Sequence, residues 1–187
     1  RKDGLLVTGS QGDWTVPINA LHLTDAQGLT EPFDFVFIAV KSYDTVWATH
    51  FMKRFVQSDG CFISLQNCWN DTTIAEIVGA NRSMGTIASH IEVALWEPGH
   101  VGRGGAGGRD SGHVVFRTGE HDGKISPRAE KVASWLDTID GSYATDNLWG
   151  ERWAKLCQNS MGNAISASTG MGTQELSANP DTRKISI

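Results

Sequence analysis

The sequence predicts an α/β protein, a parallel sheet followed by the start of an all-α region, and three observations carry that reading. Residues 33–40 and 60–65 are almost unbroken apolar, β-branched runs, the pattern of strands buried on both faces of a parallel sheet. Each is followed by apolar residues at helical spacing, in 45–56 and 72–78. A much longer helical pattern, 148–168, comes only near the end of the chain. Strand, helix, strand, helix at this spacing gives a sheet of Rossmann type.

Taken in order, residues 5–8 and 13–18 are two short β segments around the turn-forming Gly9-Ser10-Gln11-Gly12. After the strand at 33–40, Lys41-Ser42-Tyr43-Asp44 leads into the first helix, with Val46, Trp47, Phe51, Phe55 and Val56 as its apolar positions. The strand at 60–65 ends in Gln66-Asn67-Cys68-Trp69-Asn70-Asp71, and the second helix carries Ile74, Ile77 and Val78 on one side. Residues 84–93 are extended in character, 97–100 form a turn, and 113–117 read as a strand. Between them, residues 102–112 hold six glycines and read as a flexible loop joining two antiparallel strands. Residues 126–139 make an amphipathic helix, with Pro127 in its first turn and Ala129, Val132, Ala133, Leu136 and Ile139 on one stripe. Thr145-Asp146-Asn147 offers an N-cap to the long helix, which Gly170 closes. A boundary in 141–147 divides the chain into a Rossmann-type sheet domain, 1–143, and the start of a helical domain, 144–187.

Composition removes several function classes. The chain has 187 residues, 16 Lys+Arg against 21 Asp+Glu, and a formal net charge of -5, without the basic footprint of a nucleic-acid binder. Its longest apolar stretch is far too short to span a bilayer, and no signal-peptide pattern opens it, so a cytoplasmic protein is expected. Cys61, Cys68 and Cys157 have no paired spacing and fit reduced thiols. The six histidines never share a metal-ligand spacing, and no metal site is expected.

The glycine-rich stretch contains neither G-x-G-x-x-G nor G-x-x-x-x-G-K-[ST], so it is no phosphate cradle. Two other groupings carry more chemistry. Lys41 and Asn67 each follow a predicted parallel strand, at the edge where such sheets bind ligands. Lys155, Asn159 and Asn163 stand at i, i+4 and i+8 of the long helix, within about 80° of one another over roughly 12 Å. Polar residues at that spacing often mark a solvated face. Here the neighbours Trp149, Trp153, Leu156, Met161 and Ile165 are mostly apolar, so much of the helix should be buried and its polar row should need partners or a ligand.

These segments resemble the ketopantoate reductase (2-dehydropantoate 2-reductase) family. Residues 33–45 are similar to its strand followed by A-V-K-x-Y-D-T, Ser64-Leu65-Gln66-Asn67 to its S-L-Q-N-G, and residues 97–101 to its P-G-x-V turn. Residues 148–163 are similar to its W-x-K-L-x-x-N-x-x-x-N. The resemblance implies a two-domain enzyme in which a helical domain closes over the substrate of an NADP-binding domain. It implies that the cofactor is NADP, contacted by Lys41, Asn67 and Ile91. Lys155 would be the proton donor in reducing a 2-oxo acid to its 2-hydroxy acid, with Asn159, Asn163 and, by spacing, Thr173 binding the substrate. It also leaves room for a homodimer.

Departures keep other readings open. Cys68 stands where the family has glycine, Ala164 where it has proline, and Thr173 where it has a further asparagine. A reductase for another carbonyl or an imine, and a binding or regulatory protein without turnover, both accommodate these changes. The family's first strand and G-x-G-x-x-G would lie before Arg1, and the rest of its helical domain, with a serine and a glutamate of the site, after Ile187. The chain is therefore expected to be a window on a longer protein.

Overall fold

The computed structural model describes residues 4–105 and 107–185. The two chain ends, 1–3 and 186–187, and Ala106 of the glycine-rich stretch lie outside these. The protein divides into two compact units, Arg1–Leu148 and Trp149–Ile187.

In the first unit β1 (Leu5–Gly9) and β2 (Trp14–Val16) form a hairpin. Next come β3 (Phe33–Ile38), α1 (Thr45–Lys53), β4 (Val56–Ser64), α2 (Asp71–Val78) and β5 (Ser83–Ala88). A second hairpin, β6 (Glu92–Glu97) and β7 (His100–Gly104), precedes β8 (Phe116–Glu120), α3 (Pro127–Asp137) and β9 (Ser142–Ala144). The main sheet has the order β3-β4-β5-β8-β9. Its first three strands are parallel; β8 runs antiparallel to β5, and β9 parallel to β8.

Alternation along β4 builds both cores. Cys61 and Ile63 face Met84, Val115 and Phe116 beneath Val132 and Leu136 of α3. Phe62 points the other way, to Ile38, Val56 and the α2 residues Ile74 and Val78. Helices thus cover both faces, as the sequence pattern implied. The start of α3 obeys its local chemistry: Pro127 is in the first turn, and the Ser126 hydroxyl accepts a hydrogen bond from the Ala129 N–H at 3.1 Å.

Four expectations need correction. The strand at 33–40 was expected to be buried on both faces, whereas Phe33, Asp34 and Phe37 of β3 are exposed among the described residues. It pairs with β4 alone among the described residues, and an apolar run does not reveal whether a strand is central or at an edge. The first helix stops at Lys53, because Phe55 and Val56 are drawn into pairing with Phe33 and their burial outweighs helical periodicity. The extended stretch 84–93 splits between two sheets, since β6 joins β7 in a four-stranded sheet of order β2-β1-β7-β6. The strand expected at 113–117 begins at Phe116.

The glycine-rich stretch also differs from the loop expected of it. Its first residues belong to β7, and beyond them Gly108 and Arg109 are held by the carboxylate of Asp140, just past α3. That side chain accepts from the Gly108 N–H at 3.0 Å, the Arg109 N–H at 2.9 Å, the Gly141 N–H at 2.7 Å and the Arg103 guanidinium. A Cβ on Gly108 would approach Cγ2 of Val115 to 2.3 Å, so glycine is required there by packing.

The second unit is helical: α4 (Leu148–Thr169) leads into it, then α5 (Thr173–Ala178) and α6 (Pro180–Ile185). Gly170, at φ 72°, ends α4 as expected, its N–H bonded to the Ser166 carbonyl at 2.8 Å. α5 and α6 are tied by the Thr182 hydroxyl, which donates to the Leu176 carbonyl at 2.7 Å. Along α4, where burial was expected, Trp149, Leu156 and Ile165 are half-buried and Trp153 and Met161 are about half exposed among the described residues, at 55% and 50%.

Candidate active site

Because β3, β4 and β5 are parallel, their carboxyl ends share one edge of the sheet. Lys41, Asn67 and Ile91 lie just beyond those three ends. Lys41 is extended, at φ -62° and ψ 150°, and leads into a 3-10 turn, Ser42–Asp44, that enters α1. Lys41 and Asn67 are exposed. Ile91 is half-buried and packs against the core cluster under α3.

Two amides outside the expected set fix the loops. Gln66, only 5% exposed, donates through Nε2 to the Val40 carbonyl at 2.7 Å and the Thr45 hydroxyl at 2.8 Å. This ties the end of β4 to the loop after β3. Thr45 is held in turn by the Thr49 hydroxyl, which donates to its carbonyl at 2.7 Å. Asn70 donates through Nδ2 to the Ser42 hydroxyl at 2.9 Å and the Asn67 carbonyl at 2.7 Å. Asn70 stands at the N-cap of α2, where an asparagine usually accepts from the helix, yet its side chain makes no capping bond. A glutamine directly after an apolar strand is the one sequence signal that could have drawn notice to Gln66. For Asn70 the sequence suggests only a cap.

The departure at Cys68 falls on a special backbone position. Cys68 has φ 66°, in the left-handed region where glycine is at ease and a residue with Cβ is strained. The turn that glycine would favour is therefore kept without it. Replacing Cys68 with glycine should stabilise the protein by roughly 0.5–1 kcal/mol. Denaturant melts of the two proteins check this, and equal or lower stability of Cys68→Gly would show that the strain is absorbed elsewhere.

At the carboxyl end of β5 the structure also brings together residues that spacing kept apart. The rings of His90 and His113 stack with centroids 4.4 Å apart. Arg117 on β8 donates to the Ser89 hydroxyl at 2.6 Å. Partial burial, then the neighbouring His113 and Arg117, lower the His90 pKa below the usual histidine value.

In the second unit, Lys155, Asn159 and Asn163 stand in one row along the unbroken α4. The first two are half-buried and Asn163 is exposed. Thr173 is the first residue of α5 and exposed. The chain thus carries a cation and an amide at a sheet edge in one unit, and a cation with two amides on a helix in the other. An ammonium on such a row can stabilise negative charge on oxygen and release a proton to it.

Comparison with known proteins gives these groupings a context. The family model described as ketopantoate reductase PanE/ApbA matches residues 1–114. No curated protein matches the chain. Among solved structures it is similar to a 2-dehydropantoate 2-reductase from Geobacter metallireducens GS-15, with a TM-score of 0.82, 24% identity and coverage of 99% of this chain and 59% of that one. A PanE/ApbA family ketopantoate reductase from Ralstonia eutropha JMP134 gives a TM-score of 0.77 and 22% identity over 99% of this chain and 57% of its own. A D-mandelate dehydrogenase, solved with NADH and anilino(oxo)acetate, gives 0.79 and 17% over 99% and 57%. The chain therefore spans about three fifths of the length of these solved relatives.

Proposed function

This chain belongs to the ketopantoate reductase family, and on that footing we propose that the protein reduces a 2-oxo acid, of the 2-dehydropantoate kind, to its 2-hydroxy acid with NADPH. The observation that supports this most is the pair of clamped loops: a lysine and an asparagine follow adjacent parallel strands, and buried amides fix both loops at the edge where such sheets take dinucleotides. The donor set suits that ligand. Lys41 brings a positive charge for phosphate and Asn67 an amide for hydrogen bonding, with Ile91 as a third, apolar contact.

The reduced nicotinamide supplies hydride to the ketone carbon when bound. The chain's own residues do the rest. Charge gathers on the ketone oxygen as the reaction proceeds, and the Lys155 ammonium stabilises it and then donates a proton to that oxygen. Asn159 and Asn163, one and two turns along α4, and Thr173 at the start of α5 orient the substrate's carboxylate and polar groups. Hydrogen-bond donors to the carboxylate fix which carbon the hydride reaches.

The test is a titration of the full-length protein with NADPH and with NADH, followed by dinucleotide consumption against a panel of 2-oxo acids. Tighter binding of NADPH and turnover of at least one 2-oxo acid are expected. Binding without consumption of any of them would replace this reading by a non-catalytic dinucleotide-binding role, and failure to bind either dinucleotide would remove both.

A further inference from the structure

We infer that Asn70 is a positioning residue that couples the two ligand loops, so that its side chain sets dinucleotide affinity. This rests on the proposed dinucleotide binding and concerns residues outside the set proposed to touch the ligand. The Asn70 side chain is buried, and one amide nitrogen spans the gap between the loops, bonding Ser42 after β3 and the Asn67 carbonyl after β4. Ser42 is the immediate neighbour of Lys41. The same nitrogen therefore fixes the backbone on which Lys41 stands and the backbone of Asn67 itself.

The loop it closes is one that needs closing. Between Asn67 and Asn70 lies Cys68 in the left-handed region, a conformation that its own residue type disfavours. The Asn70 bond to the Asn67 carbonyl bridges that strained residue. Gln66 forms a second link, deeper in, between β4 and the start of α1. Gln66 keeps the strands' ends together, while Asn70 orders the outer turns that meet a ligand. Without Asn70, a dinucleotide would have to order both turns on binding, and that cost appears in affinity rather than in the rate of the bound complex.

The experiment uses the full-length protein with Asn70→Ala, Ser42→Ala and the double variant, measuring NADPH and NADH dissociation constants, kcat at saturating cofactor, and Tm. Asn70→Ala should weaken binding of the preferred dinucleotide by roughly 10-fold while kcat stays within about 2-fold. Ser42→Ala should move affinity the same way by a smaller factor, and the double variant should bind no more weakly than Asn70→Ala alone, since both remove one link. A drop in Tm with unchanged dissociation constants would overturn the inference, as would independent, additive effects of the two substitutions. If Asn70→Ala does not fold, unchanged affinity in Ser42→Ala overturns it alone. A parent protein that binds neither dinucleotide removes the inference together with the proposed function, whereas a parent that binds and variants that bind equally well remove the inference only.

Discussion

Replacing Lys155 by alanine in the full-length protein should cut turnover by roughly 10²–10⁴-fold, the range expected when a positioned proton donor is lost, while dinucleotide binding survives. The split arises from where the residue stands. Lys155 is on α4 in the helical unit, whereas Lys41 and Asn67 lie on loops of the sheet unit. On the proposed mechanism, removing the ammonium would take away stabilisation of the developing oxyanion and the proton that completes the alcohol. Lys155→Arg separates these contributions: guanidinium keeps the charge but does not give up a proton at neutral pH. It should therefore recover little activity. Steady-state kinetics with NADPH titrations check both variants. Turnover at the parental rate in Lys155→Ala would remove the residue from the mechanism.

Asp140→Ala should destabilise the protein by about 3 kcal/mol, the scale on which breaking one side of a buried ion pair is felt. The Asp140 carboxylate is almost fully enclosed, and its loss would strand the Arg103 guanidinium and three backbone N–H groups. Burial by itself would raise its pKa; the Gly141, Arg109 and Gly108 N–H groups and Arg103 outweigh that and hold it at about 2, against 3.8 for a free aspartate. Because the pKa is depressed, the carboxylate's contribution to stability is complete above about pH 4 and is lost as pH falls through about 2. Denaturant melts from pH 7 down to pH 2 should show the gap between parent and variant narrowing over that lowest interval. A gap that stays constant to pH 2 would mean that these bonds do not set the titration of Asp140.

Local pattern made part of this fold legible. The run at 60–65 and the stripe of α3 record burial of their own residues, and the apolar run at 33–40 and the long periodicity of α4 record the type of their elements, so type and order could be read directly. What could not be read depends on partners far away in the chain. Pairing of Phe33 with Val56 shortens α1, and Asp140, far along the chain, holds part of the glycine-rich segment. At the candidate site, Lys41 and Asn67 could be located because each directly follows a strand. Gln66 and Asn70 act through bonds to residues 21 to 28 positions away, and spacing within a strand or helix carries no trace of those.

Parallel pairing of β1 with β7 fixes an order of events during synthesis. Leu6 is opposite His100 and Gly9 opposite Arg103. Bringing such segments together closes a loop of about 90 residues, roughly 2 kcal/mol costlier in chain entropy than closing a ten-residue hairpin. As the nascent chain emerges, β3, α1, β4, α2 and β5 are all available before β7 exists. Among the described strands β1 can pair only with β2 until residue 104 has left the ribosome, and the carboxylate that pins the glycine-rich segment arrives later still, at residue 140. The smaller sheet is thus begun before β3, β4 and β5 are made and finished after them.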